Sequence, residues 1–559
     1  MKRARYVSLF ALFLLFTLLF AGCAKTQENE AETSEVSDEM DASGNYHLSA
    51  SGEAIIDDAS TRTPVASQDN ARVFYEIFVG SFSDSNGDGI GDLRGIINRM
   101  DYLNDGDPAS GQSLGIEGIW LTPIFKSPSY HKYDITDYYE VDPDFGTMDD
   151  LKELVDLCHE RGVKVILDLP INHTGRLNEW FARFCNAHRT GDTTNEYYDF
   201  YSWFGPGESS GGLTTQQING SSDYYECNFS GDMPELNFDN PAVRQAVLDV
   251  AAYYLDLGVD GFRFDAAKYI YFGDDQTSEN FWFWYIHRLR NLKSDIYTVA
   301  EVWSSDGVTD IYYPAMNCFN FTTSQTTGLI AETAKKGNVN AFTSYVGNFI
   351  SHVQKMNTKA MYVPFIANHD TDRAAGYLTV ASNQMQMAAN LYILCPGSPF
   401  IYYGEEIGMK GSRGSANTDA NRRLAMVWGD DDTIADPEGT TYDPTKKVDA
   451  SVADQLADGD SLLSYYKKLI MIRKANPEIA RGDYAALPFE NTKIGGFTST
   501  QDGSTVAVIH NTTGSEVTVD LADVTDLSFT EITAVIGLED ASLEGTKLTI
   551  GSSTSVVLR

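Results

Sequence analysis

Short apolar runs that alternate with amphipathic helical stretches constrain the fold of this chain more than any other feature. In 148–161, for example, Leu151, Leu154 and Val155 share one helical face, and Gly162 ends the helix. Strands that alternate with helices form a parallel sheet, and eight such units predict an α/β fold, the closed (β/α)8 TIM barrel. The runs of strand length are 72–79, 118–123, 163–168, 259–265, 296–301, 315–321, 363–368 and 399–403.

Two regions interrupt this alternation. The stretch 173–235 is rich in Gly, Ser, Asn and Tyr, and it is too long for a simple loop. It is therefore predicted to be an inserted domain after the third strand, so that the catalytic barrel comprises 68–172 and 236–474. After about residue 475 the apolar residues alternate with period two between turns, which predicts a C-terminal antiparallel β-sandwich domain over 475–559.

The N-terminus has the pattern of a targeting segment. Basic residues at positions 2, 3 and 5 precede an apolar run over 7–20, which is short for a membrane-spanning helix. The following Phe20-Ala-Gly-Cys23 resembles a bacterial lipoprotein cleavage box, which implies a signal peptide over 1–22 and lipidation of Cys23. The alternative is an ordinary signal peptide with an incidental cysteine. We expect the protein outside the cytoplasm, lipid-anchored to a bacterial membrane.

Composition limits the partners of the chain. Residues 23–67 are rich in acidic and hydroxyl side chains and poor in large apolar ones, so they are predicted to form a disordered tether. Over the whole chain, 79 acidic against 41 basic residues give a net charge of −38. A field of that sign repels nucleic acid and leaves a neutral polymer such as carbohydrate unaffected. The odd, widely spaced cysteines form no disulfide framework, although Cys185 and Cys227 in the insertion are able to pair in an oxidising compartment.

Acidic residues recur where the predicted barrel strands end. Asp168, Asp265, Glu301 and Asp370 each follow a strand, and the carboxyl ends of barrel strands meet at one rim, where active sites form. One such Asp commonly caps the next helix. Several acids at one rim, with His173, Arg263 and His369 beside them, indicate a catalytic site.

The residues around these acids resemble the signature motifs of the α-amylase family of glycoside hydrolases. The motifs occur in family order on the expected strands, and the resemblance extends from about residue 73 to the C-terminus. The matching segments are Asp168-Leu-Pro-Ile-Asn-His173, Met233-Pro-Glu-Leu-Asn237, Gly258-Val-Asp-Gly-Phe-Arg-Phe-Asp-Ala-Ala-Lys268, Val299-Ala-Glu-Val-Trp303 and Phe365-Ile-Ala-Asn-His-Asp370.

The resemblance implies a retaining glycosidase with divided catalytic roles. Asp265 would be the nucleophile and Glu301 the general acid and then base, with their carboxyls about 5–5.5 Å apart. Arg263, two residues before Asp265 on the same strand face, would keep Asp265 ionised. Asp370 would bind sugar hydroxyls more tightly in the transition state.

Further residues are assigned to substrate binding by the same resemblance. His173 and His369 would hydrogen-bond hydroxyls of the reacting sugar, and Asp168 belongs with them. Tyr133 matches the aromatic residue that stacks under that sugar. Lys268 would contact the sugar beyond the cleavage point, although the next residue, often His in amylases, is Tyr269 here. The implied substrate is an α-glucan, and the protein is expected to act as a monomer.

A second cluster predicts a structural Ca²⁺ site. Residues 84–92 read Asp-Ser-Asn-Gly-Asp-Gly-Ile-Gly-Asp, with oxygen donors at alternating positions in a Gly-rich loop, which suits a hard cation. The spacing resembles both the start of an EF-hand and the first-loop metal site of this family. The predicted ligands are Asp84, Asn86, Asp88, the carbonyl of Ile90, and Asp92.

The sequence favours endo-hydrolysis of α-1,4 bonds in starch, glycogen and maltooligosaccharides. Met233-Pro-Glu-Leu-Asn237 lies between the versions found in α-1,6-glucosidases and neopullulanases, so oligosaccharide α-glucosidase, neopullulanase and glucanotransferase activities stay open. An alternative of another class is a non-catalytic glucan-binding surface lipoprotein. That alternative predicts the loss of a catalytic carboxylate, whereas this chain retains Asp265, Glu301 and Asp370.

Overall fold

The computed structural model describes residues 60–429 and 433–559. The predicted signal peptide, the predicted lipidation site Cys23 and the tether up to residue 59 lie outside the described residues. Among the helices of the described part, none has both the length and the apolarity needed to cross a membrane.

The described chain alternates strands and helices through the barrel and ends in strands alone. In chain order the strands are β1 Phe74–Ile77, β2 Gly118–Leu121, β3 Phe125–Lys126, β4 Asp137–Val141, β5 Lys164–Asp168, β6 Trp203–Phe204, β7 Thr215–Gln217, β8 Tyr224–Glu226, β9 Gly261–Phe264, β10 Tyr297–Ala300, β11 Asn317–Cys318, β12 Phe400–Tyr402, β13 Asp483–Pro488, β14 Ile494–Gln501, β15 Ser504–Asn511, β16 Val517–Asp520, β17 Ile532–Ile536, β18 Ala541–Glu544, β19 Lys547–Ile550 and β20 Thr554–Leu558.

The α-helices are short to medium in length and mostly have polar N-caps. In α3, for example, Thr147 and Asp150 form the reciprocal hydrogen bonds of a capping box. The helices are α1 Leu93–Asn98, α2 Met100–Leu103, α3 Met148–Glu160, α4 Glu179–Thr190, α5 Pro241–Leu257, α6 Asp275–Leu292, α7 Asp306–Thr309, α8 Leu329–Lys336, α9 Val339–Met356, α10 Gln384–Ile393, α11 Val452–Leu456, α12 Leu462–Ala475 and α13 Glu478–Arg481.

The barrel is a parallel sheet in the order β11-β10-β9-β5-β2-β1-β12. The predicted strand over 363–368 fills the remaining gap, but it makes only an isolated parallel bridge, between Phe365 and Phe400. On one side the N–H of Asn320 donates to the carbonyl of Val363 (3.0 Å), and on the other the N–H of Phe400 donates to that of Pro364 (2.9 Å). Proline has no N–H to donate, so a regular ladder does not form here. The predicted (β/α)8 fold is confirmed.

An apolar cluster fills the barrel interior. It consists mainly of aromatic side chains from the strands, all nearly or fully buried: Phe74, Trp120, Ile166, Tyr297, Val299, Phe319, Val363, Phe365 and Phe400. Charged groups next to such a cluster are poorly screened by water, so their interactions with one another are strong.

The insertion after the third barrel strand, β5, contains helix α4 and the three-stranded sheet β6-β8-β7. Two isolated β-bridges hold the insertion in place. His173 and Glu235, its first and last residues, pair with each other, and Tyr201 pairs with Leu236 just after it. Cys185 and Cys227 are both free, so the pairing that the sequence allowed is absent from the structure.

The C-terminal strands form two antiparallel sheets, in the orders β13-β14-β15-β20-β17 and β16-β19-β18. They enclose an apolar core of their own, which includes Ile494, Ile509, Leu548 and Val556. This agrees with the predicted β-sandwich. The first of these strands begins at Asp483, and the hydroxyl of Tyr484 donates to the carbonyl of Thr343 on α9 (2.8 Å), which links the sandwich to the barrel.

Residues 60–67, which the sequence assigns to the tether, lie against the folded chain. The N–H of Thr61 donates to the carbonyl of Thr533 in the sandwich (2.8 Å), and that of Ser67 donates to the Glu117 carboxylate in the barrel (2.8 Å). Between them, Arg62 forms an ion pair with Glu478 at 2.9 Å. Backbone and ionic contacts hold this segment, and neither produces a hydrophobic pattern in the sequence.

Candidate active site

The carboxyl ends of the barrel strands bring the predicted catalytic residues together. Asp168 is the last residue of β5, Asp265 follows β9 and Glu301 follows β10. In the sheet register Arg263 lies beside Asp168 on one side and beside Val299 on the other. The sequence motifs therefore converge at one rim because neighbouring parallel strands end there.

Arg263 is the centre of this rim. Its guanidinium is fully buried, and Nη1 lies 2.8 Å from Oδ1 of Asp168 and 2.6 Å from Oδ1 of Asp265. Its Nη2 lies 3.2 Å from Oε2 of Glu301. One cation therefore contacts three carboxyls, and the indole ring of Trp120 lies beneath it at 5.2 Å. Asp265 and Glu301 are thereby held against the two terminal nitrogens of a single side chain.

Glu301 has the electrostatic surroundings of a general acid. Burial raises the pKa of its carboxyl to about 7, because the Asp265 charge adds to desolvation while Arg263 opposes both. Its Oε2 also accepts a hydrogen bond from the backbone N–H of Ala266 (3.0 Å). A carboxyl with this pKa carries a proton for a substantial fraction of the time near neutral pH, as proton donation to a leaving oxygen requires.

His369 and Asp370 form the opposite side of the rim. Nε2 of His369 lies 3.0 Å from Oδ2 of Asp370, and Nη2 of Arg423 donates to Oδ1 of Asp370 at 2.8 Å. Burial alone would raise the pKa of Asp370, but these two cations hold it well below its usual range. The Asp370 side chain keeps 28% of its surface exposed, so a charged carboxylate faces the cleft.

Tyr133 lies between the two groups of acids. Its hydroxyl donates to Oδ2 of Asp168 (2.8 Å) and lies 2.7 Å from Nε2 of His369, and its ring is stacked on the His369 ring with centroids 5.7 Å apart. The preceding residue, Lys132, has a left-handed backbone (φ 62°). Its buried ammonium pairs with Asp142 (3.0 Å) and Asp144 (2.9 Å), which holds this strained turn and so positions Tyr133.

The other predicted substrate-binding residues lie toward the insertion. His173 is buried, its Nε2 lies 3.2 Å from the carbonyl of Tyr133, and its ring contacts Phe229 at 5.4 Å. Nζ of Lys268 donates to the carbonyl of Trp303 (3.2 Å) and lies over the Tyr269 ring at 5.5 Å. The rings of Phe229 and Tyr269, both at least partly exposed, therefore lie beside these two predicted substrate-binding residues.

Sequence reasoning missed Glu76 and Arg423. Glu76 is a carboxylate within the apolar strand β1, and its Oε1 lies 2.5 Å from Nδ1 of His369. Glu76 is not at the end of its strand, so the signal that identified Asp168 did not apply; its only signal was a charged residue inside an otherwise apolar run. Arg423 gave no such signal, because it lies in an irregular segment and reaches Asp370 only through the tertiary fold.

The predicted Ca²⁺ loop is bound together by its own short-range hydrogen bonds. Asp84 accepts the N–H groups of Asn86 (3.0 Å) and Gly89 (2.8 Å), and Asp92 caps α1 by accepting the N–H of Gly95 (2.6 Å). The predicted metal ligands in this loop are all oxygen atoms, which fits a hard cation. Within the described residues, however, no three His, Cys, Asp or Glu side chains are gathered as ligands for a metal ion.

Comparison with known proteins identifies relatives along most of the chain. The family model described as alpha amylase, catalytic domain, matches residues 76–482. Alpha-amylase 3 of Dictyoglomus thermophilum is 32% identical over 87% of this chain and 93% of its own length. A 4-alpha-glucanotransferase of Thermotoga neapolitana is 31% identical over 79% of this chain and 96% of its own length.

A solved structure extends the likeness to the whole described fold. The structure titled Eubacterium rectale Amy13B superposes with a TM-score of 0.82 at 32% identity, and it covers 92% of this chain and 99% of its own. The likeness therefore includes the insertion and the C-terminal sandwich as well as the barrel.

Proposed function

Since this chain belongs to the α-amylase family of glycoside hydrolases, we propose that it hydrolyses internal α-1,4 bonds of starch, glycogen and maltooligosaccharides with retention of configuration. One observation carries the proposal: a single buried guanidinium, that of Arg263, contacts both Asp265 and Glu301. Retention requires a nucleophile and an acid/base carboxyl close together, and this contact supports that arrangement.

In the proposed mechanism the two acids act in sequence. Asp265 attacks the anomeric carbon while Glu301 gives its proton to the leaving glycosidic oxygen, which leaves a covalent glucosyl-enzyme. Glu301, now a carboxylate, takes a proton from water, and that water displaces Asp265. Asp370 and His369 bind sugar hydroxyls, and these bonds strengthen as the ring flattens in the transition state.

The experiment that tests this mechanism combines stereochemistry with two variants. Early products of maltooligosaccharide hydrolysis, followed by NMR, should have the α configuration, because two inversions restore the starting one. Glu301→Gln should accumulate the glucosyl-enzyme from α-glucosyl fluoride, which needs no acid to leave, and Asp265→Asn should form none. Early β products would show that Asp265 is not the nucleophile.

The linkage and transfer preferences rest on a product profile. The glucanotransferase among the relatives keeps transfer to sugar acceptors in consideration, beside oligosaccharide α-glucosidase and neopullulanase activities. Amylose, pullulan, isomaltose and maltotriose distinguish these activities. An endo-amylase cleaves amylose into mixed maltooligosaccharides and leaves isomaltose intact. Rapid hydrolysis of isomaltose would favour an α-1,6-glucosidase, and products longer than maltotriose from maltotriose would favour a transferase.

We also propose that the 84–92 loop binds Ca²⁺ through Asp84, Asn86, Asp88, Asp92 and the Ile90 carbonyl, and that the ion stabilises the fold. Ligand binding to the native state raises stability by mass action. Chelation should therefore lower the Tm. Asp88→Ala should remove that response, while catalysis itself continues. Equal Tm values with and without chelator in calcium-loaded protein would contradict a calcium site here.

The cellular location is a further proposal. Phe20-Ala-Gly-Cys23 supports a mature chain that begins at a lipidated Cys23 outside the cytoplasm. One acyl chain anchors only marginally, so more than one is expected. Mass spectrometry of the native N-terminal peptide tests this: a diacylated or triacylated Cys23 supports it, and an unmodified peptide that starts elsewhere contradicts it.

A further inference from the structure

Glu76 is a buried carboxylate at the active-site rim to which the proposed chemistry assigns no role. It lies in β1 with only 1% of its surface exposed. Burial of a carboxylate is costly unless it is paired. Its observed partner is His369, which is far away in the sequence and next to the predicted catalytic Asp370.

On one side of the His369 ring, Nδ1 faces an acceptor. It lies 2.5 Å from Oε1 of Glu76, and the same oxygen accepts the backbone N–H of His369 at 3.3 Å. A carboxylate oxygen only accepts hydrogen bonds, so the proton of this contact belongs to the imidazole. Nδ1 of His369 therefore carries a hydrogen.

On the other side of the ring, Nε2 also faces acceptors. Oδ2 of Asp370 lies 3.0 Å away, and the hydroxyl oxygen of Tyr133 lies 2.7 Å away. The Tyr133 proton is already donated to Asp168, so this hydroxyl acts as an acceptor toward His369. Nε2 therefore carries a hydrogen as well, and the ring is an imidazolium.

The surroundings of the ring are consistent with a positive charge. The neighbouring rings of Phe78, Trp120 and Tyr133 supply no cation. Arg423, on an adjoining segment, is directed at the carbonyl of His369 and at Asp370, and Arg263 is directed at Asp168. Burial acts against the charged ring, but Asp370 and Glu76 together raise the pKa of His369 to about 10.

We propose that Glu76 is a positioning residue that keeps His369 an imidazolium, so that Nε2–H always points at Asp370 and at the sugar hydroxyls bound between them. A neutral imidazole exchanges between two tautomers, and in one of them Nε2 carries a lone pair instead of a hydrogen. An imidazolium presents a donor at Nε2 in every turnover. The proposal rests on the proposed function only in naming the ligand, an α-glucosyl unit.

The first test measures the charge of His369 directly, in the full chain labelled with ¹⁵N-histidine. The His369 ring resonances are assigned by their loss in His369→Asn, and they are followed with pH in the wild type, Glu76→Gln and Glu406→Gln. Glutamine keeps the acceptor at Nδ1 but removes the charge. We expect the wild-type ring to hold both protons beyond pH 8 and Glu76→Gln to lower the midpoint by about one pH unit or more.

Glu406→Gln is the matched control, since it also replaces a buried glutamate in the same barrel but one whose contacts are Tyr75 and Tyr102. Its His369 midpoint should equal that of the wild type within about 0.3 unit. A His369 that is neutral at pH 7 in the wild type, or whose midpoint is the same in Glu76→Gln, would overturn the proposal.

The second test is kinetic and asks whether the charge matters for turnover. With maltooligosaccharides, Glu76→Gln should lower kcat about tenfold and Glu76→Leu about 100-fold, with KM changed less than about twofold, because the lost interaction strengthens in the transition state. Melting curves check that each variant is folded. An unchanged kcat in folded Glu76→Gln would overturn the positioning role. A wild type with the imidazolium but no glucan hydrolysis would instead overturn the proposed function.

Discussion

Two groups of buried acids lie at the same end of the barrel and differ in their partners. At the catalytic rim, Asp265, Glu301 and Asp370 contact the cations Arg263, His369 and Arg423. In the turn that follows β12, Glu405 and Glu406 contact tyrosines. Both groups follow barrel strands, but Asp370 keeps 28% of its side chain exposed whereas Glu405 and Glu406 are buried, so the groups differ in depth as well as in the charge of their partners.

The second group is held by neutral donors. Oε1 of Glu405 accepts the hydroxyls of Tyr392 (2.6 Å) and Tyr466 (2.9 Å), and Oε1 of Glu406 accepts those of Tyr75 (2.6 Å) and Tyr102 (2.5 Å). Burial raises the pKa of Glu405 to about 8, and it raises that of Glu406 as well. Two hydroxyl contacts on each carboxyl thus do not offset the cost of burying its charge.

The comparison shows that counter-charges decide the protonation of an acid in this barrel. His369 and Arg423 keep Asp370 charged, whereas tyrosines leave Glu405 largely protonated near neutral pH. Glu301 is intermediate, because it shares Arg263 with two other acids and its pKa is about 7. Sharing one cation among three carboxyls thus leaves the predicted general acid, Glu301, able to hold a proton near neutral pH.

The largest expected effect is the removal of the shared cation. Arg263→Met should lower kcat by about 10³-fold or more and lower the free energy of unfolding by about 3–5 kcal/mol, because it leaves buried carboxyls without a counter-charge. Urea unfolding and maltooligosaccharide kinetics measure the two effects. Arg263→Lys retains a charge but not the forked guanidinium that reaches several carboxyls. Its kcat and its free energy of unfolding should therefore lie between those of wild type and Arg263→Met. A kcat within tenfold of wild type in Arg263→Met would contradict the conclusion that counter-charges set the protonation of the rim acids.

A matched pair of acid-to-amide changes should separate the two groups. Asp370→Asn should lower kcat about 10²–10³-fold with little change in KM, because its charged contacts act in the transition state. Glu406→Gln replaces an acid whose contacts are tyrosine hydroxyls with an amide of the same size, and it should keep kcat within about twofold of wild type. Steady-state kinetics on one maltooligosaccharide measures both. Similar losses in the two variants would mean that charge is not what distinguishes these groups.

The smallest expected effect is in the pH dependence of stability. The pKa of Glu405 is raised from its ordinary 4.5 to about 8, so the folded protein binds the proton more tightly. Its contribution to stability is complete below about pH 4.5 and is lost as pH rises through about 8. In Glu405→Gln the free energy of unfolding should therefore fall less between pH 5 and 8 than in wild type. Urea titrations at several pH values measure this, and parallel curves would contradict it.

Much of this protein was determined by the sequence alone. Strand–helix alternation is a local pattern of apolar residues, so it predicted the barrel, the insertion and the C-terminal sandwich. The rim acids Asp168, Asp265 and Glu301 were found because each directly follows a strand, and parallel strands end at one edge. The predicted strand over 363–368 is not a regular strand in the structure, because Pro364 has no N–H to donate.

Only the tertiary structure decided how those residues are charged and held. Glu76 reaches His369 across 293 positions of chain, and Arg423 reaches Asp370 from an irregular segment. The contacts of residues 60–67 with the sandwich and the barrel also have no pattern in the sequence. The physical reason is that a pKa depends on burial and on nearby charges, and these are set by distances in space between residues that are remote in sequence.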